Sequence, residues 1–382
     1  MDFKLTEEQQ MIRDTIRDFA ENEVKPGVAE RDKNSEFPYE LLKKLGEMGF
    51  LGVLVPEEYG GSNLDNLSYA IIIEELARVD PALAVTVSVH NSVACYPIVV
   101  WGTEEQKKKY LPKMASGEWI GAFSLTEPQA GSDAANQKTK AIKKGNKYIL
   151  NGTKAWCTNG PVAEVLVVVA QTDPSKGAKG ISAFIVEKNF KGIKAGKVED
   201  KMGLRSSKTS EIILEDCEVP EENLLGGEGM GYKVALTVLG SSRISIGAQA
   251  LGIAQGAFEE AVKYSKVREA FSQPICNFQA ISFMIADMAT KIEAARNLVY
   301  YAAYKKDEGK EKIAKYSSMA KMYASDIANE VVAKAVQIHG GYGYSKEYPV
   351  ERFFRDARVT TIYEGTNEIQ RIVIARELMR EE

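Results

Sequence analysis

The spacing of apolar residues changes twice along this chain, and that change constrains the fold more than any other feature. From Thr6 to about Gly117 apolar positions recur at helical intervals, with Met11, Ile12, Ile16, Phe19 and Ala20 on one face. Thr6 with Gln9, and Thr103 with Gln106, match the capping box that opens a helix. Tyr69 to Arg78 is a further helical stretch, and Pro56 and Gly60-Gly61 mark loops. Near Gly121 the texture becomes that of strands. Val165 to Ala170, Ile181 to Val186 and Ser210 to Val219 are short runs rich in Val, Ile and Leu, separated by turn residues such as Asp173-Pro174. Asn151-Gly152, lying between Tyr148-Ile149-Leu150 and Thr153 to Cys157, predicts a tight hairpin turn. From about Tyr232 the helical interval returns, and Phe278 to Lys305 and Ile313 to His339 predict long helices of a bundle. Helices, then strands, then helices is an α+β order and excludes an alternating βαβ sheet. It predicts a helical unit over 1–120, an antiparallel β-unit over 121–231 and a helical bundle over 232–382.

Composition narrows the function class. A chain of 382 residues buries a large core unaided. A formal charge of −4 offers no basic field to nucleic acid or anionic lipid, and Lys107-Lys108-Lys109 reads as a solvated helix face. Cys95, Cys157, Cys217 and Cys276 are far apart, and His90 and His339 are the only histidines. Neither a disulfide framework nor a zinc site is expected, and a reducing, cytoplasmic compartment is. The opening residues MDFKLTEEQQ hold no apolar leader segment. No uncharged apolar run of about eighteen residues is read, so no membrane span is expected and the protein should be soluble.

Two glycine-rich spots invite a phosphate-loop reading. Gly226-Gly227-Glu228-Gly229-Met230-Gly231 matches neither G-x-G-x-x-G nor a P-loop, and reads as a joint between units. Gly340-Gly341-Tyr342-Gly343 follows a long helix and reads as a glycine cap and loop, or as backbone brought close to a phosphate.

Four separated segments say more together than apart. They are Phe123-Ser124-Leu125-Thr126-Glu127-Pro128-Gln129-Ala130-Gly131-Ser132-Asp133, then Asn151 to Gly160 with Trp156-Cys157-Thr158, then Arg268-Glu269-Ala270-Phe271 with Phe278-Gln279-Ala280, and last Ile362-Tyr363-Glu364-Gly365-Thr366-Asn367-Glu368-Ile369-Gln370. In this order they resemble the acyl-CoA dehydrogenase family, almost end to end, and Gln249 to Gln255 looks most like its short-chain (butyryl-CoA) branch. The resemblance implies an N-terminal helical domain, a middle β-domain and a C-terminal four-helix bundle, with FAD held between the last two. It also implies a homotetramer, a dimer of dimers in which a neighbour completes each FAD site, and an electron-transferring flavoprotein as redox partner.

Residue by residue, the resemblance implies that Phe123, Leu125, Thr126 and Ser132 line the flavin and the acyl-CoA channel. It sets Trp156 and Thr158 against the isoalloxazine, where an aromatic face covers the ring and a hydroxyl bonds near N5. Arg268, Phe271, Gln279, Gln337, Gly340 and Gly341 resemble the positions that hold the ADP half, an arginine suiting a pyrophosphate. Thr366 and Glu368 resemble further FAD contacts at the start of the last helix, whose free N–H groups suit an anion. Ser132, Ser242, Arg243 and Gly365 resemble the acyl-CoA site.

Glu364 resembles the family's catalytic base. The α-proton of a thioester is weakly acidic, so a carboxylate that removes it must be close, desolvated and raised in pKa. In the family the β-hydrogen leaves as hydride, while the Glu backbone N–H and a ribityl hydroxyl polarise the thioester carbonyl. Some relatives place the base one residue before a helix arginine; that position here is Ser242, before Arg243, and a serine cannot do the work of a carboxylate. Gly240 stands where many relatives carry an acid, and Ser272 where many carry glycine. Outside their motifs, Glu364 reads as a surface glutamate before a helix, Trp156 as a half-buried strand aromatic and Arg268 as a surface charge.

Several readings stay open on the sequence alone: a branched, dicarboxylyl or cyclic acyl group, an oxidase, a reductase running the reaction backwards, or a non-catalytic flavin- or CoA-binding scaffold. The stretch Val87 to Tyr96 is expected in the pocket wall. There His90 and Asn91 read as satisfied polar residues at a helix surface, or as a hint of a functionalised acyl group.

Overall fold

The computed structural model describes residues 4–309 and 313–380. The N-terminal helices are α1 (Glu7–Phe19), α2 (Val28–Asn34), α3 (Tyr39–Glu47), α4 (Asn66–Val79), α5 (Pro81–Val89), α6 (Tyr96–Trp101) and α7 (Glu104–Ala115). Both expected capping boxes form. Thr6 Oγ1 accepts from Gln9 N at 3.1 Å while Gln9 Oε1 accepts from Thr6 N at 3.0 Å, and Thr103 and Gln106 repeat the exchange.

The strands follow: β1 (Gly121–Ser124), β2 (Lys140–Lys144), β3 (Lys147–Thr158), β4 (Val165–Gln171), β5 (Ile181–Glu187), β6 (Ile193–Val198), β7 (Thr209–Pro220) and β8 (Leu224–Leu225). They form one sheet in the order β6-β7-β3-β2-β4-β5-β8, with β1 paired to β4. Most pairings are antiparallel, as expected, but β1–β4 and β2–β4 are parallel, so the sheet is mixed.

The Asn151-Gly152 turn is a correction. These residues lie inside the single strand β3; the hairpin turns instead at Gly145-Asn146, between paired Lys144 and Lys147. A side chain at position 152 would lie 2.5 Å from Thr139 Oγ1 and 2.7 Å from Thr139 Cα, so glycine there serves a close backbone approach and a register shift against β7. Asn151 is used across the strands, exchanging hydrogen bonds with Asp216.

The remaining helices are α8 (Gly231–Val267), α9 (Gln279–Asp307), α10 (Ile313–His339), α11 (Val350–Ala357) and α12 (Asn367–Leu378), with a small β9–β10 hairpin (Glu269–Ala270, Gln273–Pro274) between α8 and α9. The helices of both ends share one core: Ile16, Leu76, Leu251, Val299 and Val331 belong to a single buried cluster. Leu125, Val169, Ile181 and Ala235 form another, which seats the sheet on the start of α8.

The reading of no membrane-length apolar run needs correcting too. Pro81–Trp101 and Gly231–Val267 are long and apolar enough to cross a membrane, and 83% of each such window is buried inside the fold. Both are core helices, whose apolar residues point at other helices in several directions. The four cysteines are free, as expected.

Candidate active site

Glu364 sits at a sharp corner between a short 3₁₀ turn (Arg358–Thr361) and α12. Glu364 has φ 51° and Gly365 φ 92°, two successive left-handed residues. For a glutamate that conformation costs on the order of 1–3 kcal/mol and persists only where the surroundings enforce it. Here they do. Gln370 Nε2 donates to Gly365 O at 2.8 Å and to Glu364 O at 3.3 Å. The buried Lys321 Nζ donates to Gly365 O at 2.9 Å and to Asn367 Oδ1 at 2.8 Å. Thr366 caps α12 through Ile369 N. Among the described residues the Glu364 N–H makes no hydrogen bond, so it is free to donate to a ligand.

The carboxylate is held by polar groups. Ser242 Oγ donates to Glu364 Oε2, with Arg243 and Lys321 nearby. Burial raises the pKa of Glu364 above the usual carboxylate value; the Ser242 hydrogen bond and the two cations oppose the rise without cancelling it. Burial also lowers Lys321 to about 8. Arg243 is buried, with one guanidinium nitrogen 3.2 Å from Ser318 Oγ and its Nε unpartnered among the described residues. The preceding residue, Tyr363, whose hydroxyl donates to Gln249 Oε1, packs on an apolar cluster of Val85, Val89, Val93 and Val238. A raised, desolvated carboxylate is what a base for a carbon acid requires.

Phe123 on β1 packs against the same cluster and against the sheet–α8 cluster, so the edge Phe123 to Thr126 adjoins both. That edge is fixed from beneath by a buried ion pair. Lys154 Nζ lies 2.7 Å from Glu127 Oε1, donates to Leu125 O at 3.2 Å and also bonds Gln137. Burial works against both charges, but Lys154 and the N–H groups of Thr139 and Lys138 still hold Glu127 low, at about 2. Two residues beyond Lys154 the strand shifts register. Trp156 takes a left-handed φ of 56° and leaves its indole 62% exposed, more open than the half-buried strand aromatic of the simpler reading. Thr158 is half-buried beside it, and Ser132 is exposed on the loop after β1.

These residues fit a flavin. A strained backbone that presents an aromatic face to solvent beside a hydroxyl suits a planar ring that stacks and accepts hydrogen bonds. Arg268, Phe271, Gln279, Gln337, Gly340 and Gly341 form a second exposed group, around β9–β10 and the end of α10. Phe271 is 91% exposed, and the Arg268 guanidinium lies over the Tyr342 ring at 5.7 Å. The fold does not bring the two groups together. Ser242 and Arg268 lie on and at the end of one continuous 37-residue helix, about 39 Å apart at ~1.5 Å of rise per residue. Glu368 is exposed in the first turn of α12.

His90 and Asn91 are a correction. Both are fully buried rather than at a helix surface. Asn91 bonds Val53 N, Phe50 O and Val87 O, and His90 bonds Met114 O and Gly121 N. They tie the N-terminal helices to β1, and nothing in them points to a functionalised acyl group. Burial holds His90 down at about 4, hence neutral. Sequence reasoning missed Lys321, the Ser242–Glu364 bond and the Lys154–Glu127 pair. Lys321 had a signal: it is the one long polar side chain in the buried stripe Ser317, Ser318, Ala320, Ala324, Ser325, Ala328 of α10. Along the start of α8 lies a groove of about 450 Å³ whose lining includes Lys179, Tyr232, Lys233 and Leu236. Further along that helix, Gly240 is buried beside open space, since a side chain there would meet nothing within 4 Å among the described residues.

Comparisons with known proteins identify the family. Three family models match in sequence: acyl-CoA dehydrogenase N-terminal domain over 6–118, middle domain over 122–217 and C-terminal domain over 229–379. The chain is 50% identical to a short-chain specific acyl-CoA dehydrogenase of Clostridium acetobutylicum over 380 residues, covering 100% of both. Among solved structures it is similar to butyryl-CoA dehydrogenase from Megasphaera elsdenii, with TM-score 0.97, 49% identity and full coverage of both chains. It is also similar to a chain in a structure described as the electron transferring flavoprotein of Acidaminococcus fermentans, with TM-score 0.98, 56% identity and full coverage.

Proposed function

The chain belongs to the acyl-CoA dehydrogenase family, and on that footing we propose that Glu364 is the base that starts its reaction. The protein is an FAD-dependent oxidoreductase that converts a short-chain acyl-CoA to the trans-2-enoyl-CoA and passes the electrons to an electron-transferring flavoprotein. The observation that carries the role of Glu364 is its position: a carboxylate raised in pKa by burial, directly after Tyr363, which packs on an apolar cluster.

The acyl chain lies against Val85, Val89, Val93 and Val238, because Tyr363 leads from Glu364 to that cluster while the contacts of Glu364 itself are polar or charged. The thioester carbonyl accepts from the free Glu364 N–H, which stabilises negative charge as the α-proton moves to the Glu364 carboxylate. Bound FAD supplies the acceptor for the hydride that leaves the β-carbon. Phe123, Leu125, Thr126, Ser132, Trp156 and Thr158 hold its ring end, and Thr366 and Glu368 add contacts at α12. The CoA arm leaves along α8 past Ser242, Arg243 and Gly240, with Lys179 and Lys233 of the groove as countercharges for its phosphates.

Arg268, Phe271, Gln279, Gln337, Gly340 and Gly341 serve the ADP half of a neighbouring subunit's FAD. A span of about 39 Å between Ser242 and Arg268 exceeds an extended FAD, so one protomer does not supply both ends of one site. The exposed Phe271 and Tyr344 suit burial against a second copy. A homotetramer, a dimer of dimers in the cytoplasm, is the assembly this reading takes. The test is anaerobic titration of the purified FAD-bound protein with butyryl-CoA, isovaleryl-CoA and glutaryl-CoA. Butyryl-CoA is expected to bleach the flavin best; absence of bleaching by every acyl-CoA ends the reading.

A further inference from the structure

The apolar cluster on which Tyr363 packs has a buried member from the middle sheet. Leu204 belongs to the β6–β7 connection of the middle sheet, yet it packs in the same cluster as Val85, Val89, Val93, Val238 and Tyr363. It does so in a left-handed conformation, φ 50°, and is nearly fully buried. A leucine adopts that backbone only where something holds it.

What holds it is α11. Leu204 N donates to Asp356 Oδ1 at 2.6 Å. Two residues earlier, Met202 O accepts from Arg355 Nη1 at 3.3 Å. Between them Gly203 lies flat on the helix, where a side chain would come within 2.5 Å of the Arg355 carbonyl carbon and oxygen. Arg355 is anchored in turn to Asp32 of α2 at 2.7 Å and to Glu351 at 2.8 Å. Lys201 Nζ closes the loop onto Ser207 O at 2.7 Å. Asp356 is fully buried, and burial pushes its carboxyl up to about 7; Arg352 opposes this from 3.7 Å without a hydrogen bond. A buried acid so weakly compensated is costly to keep, and among the described residues the one side-chain hydrogen bond it accepts comes from the Leu204 N–H.

We infer that Leu204, driven into the acyl pocket by the Asp356–Gly203–Arg355 clamp, is a specificity-determining residue that limits the length of the acyl chain. This rests on the reading of Glu364 as the base, because that reading places the acyl tail against this cluster. Leu204 is then the buried aliphatic side chain that the tail meets from the middle domain, beside the partly buried Phe123. Asp356 is a positioning residue that acts through it.

The experiment compares butyryl-CoA, hexanoyl-CoA and octanoyl-CoA with the FAD-bound parent and with Leu204→Ala. A methylene that gains or loses its place in an apolar pocket changes kcat/KM about 10–200-fold. The hexanoyl-to-butyryl ratio of kcat/KM is therefore expected to rise at least about tenfold in Leu204→Ala. Calorimetry should show trans-2-hexenoyl-CoA gaining affinity relative to crotonyl-CoA by a similar factor. Asp356→Ala, which frees the Leu204 N–H, should move the ratio in the same direction; Asp356→Asn, which keeps an acceptor at Oδ1, should leave it near the parent's. If Leu204→Ala does not fold, Leu204→Val gives a smaller shift of the same sign. A hexanoyl-to-butyryl ratio within twofold of the parent's in the folded Leu204 variant overturns the inference, whatever happens to the absolute rates. The two failures are distinct: a parent reduced by no acyl-CoA sinks the proposed function, while a reducible parent with an unmoved ratio sinks only the role of Leu204.

Discussion

Lys154→Met breaks the buried pair beneath the Phe123 to Thr126 edge and leaves Glu127 charged in the interior. Both side chains are essentially inaccessible, 0% for Lys154 and 1% for Glu127, so solvent does not screen the pair. Removing one partner of such a pair costs about 3–5 kcal/mol. Glu127 keeps N–H donors from Gln129 at 2.6 Å, Lys138 at 2.7 Å and Thr139 at 3.0 Å, which places the cost near the low end, about 3 kcal/mol. The sensitive assay is hydrogen–deuterium exchange of the Lys138 and Thr139 amides in the FAD-bound protein, since both donate to the stranded carboxylate. Local opening made easier by about 3 kcal/mol speeds their exchange roughly 100-fold. The double variant Lys154→Met with Glu127→Gln carries no unpaired charge and should recover most of that protection. Single-variant exchange less than about tenfold faster, or a double variant no better protected than the single, would refute the reasoning.

Ser242→Ala removes the hydroxyl that donates to ionised Glu364. That bond lowers a pKa which burial has raised, so its loss raises the pKa further. Activity needs the ionised form; the acidic limb of the kcat/KM–pH profile should therefore move to higher pH, with the alkaline plateau changed much less. Arg268→Ala should weaken FAD binding to the apoprotein at least about tenfold, the loss expected for a charge-assisted contact to a pyrophosphate, and leave the β-domain's exchange pattern unchanged. Fluorescence titration of FAD reads that change.

The parts of the fold legible in the sequence are those written in local patterns. Thr6 with Gln9 and Thr103 with Gln106 announce their helices because a capping box needs only four residues. The strands over Val165 to Ala170 and Ile181 to Val186 show because fully buried strands read as apolar runs. Asn151-Gly152 misleads because its turn preference is local, whereas the contact with Thr139 that overrides it is not. His90 and Asn91 look like surface residues for the same reason; their partners at Phe50, Val53, Met114 and Gly121 lie far away in sequence. Pro81–Trp101 carries no charged residue, and only the packing around it shows it to be a core helix.

At the candidate site, the motif pointed to Glu364, Trp156 and Arg268, but not to what tunes them. Ser242 was legible as a missing carboxylate, not as the donor to Glu364. Leu204 and Asp356 had no local signal at all, since a left-handed leucine and its tether are far apart along the chain. Nor does one protomer reveal by sequence that Arg268 stands at the far end of α8 from Ser242.

The most direct measurement is rapid anaerobic mixing of butyryl-CoA with the FAD-bound Glu364→Gln protein, alongside calorimetric binding of crotonyl-CoA. The amide cannot take a proton but keeps the shape of the site and the backbone N–H. Flavin reduction should slow by about 100–10,000-fold while crotonyl-CoA affinity stays within a few-fold of the parent. Reduction at a rate close to the parent's, with the thioester bound as tightly, would show that another group removes the proton.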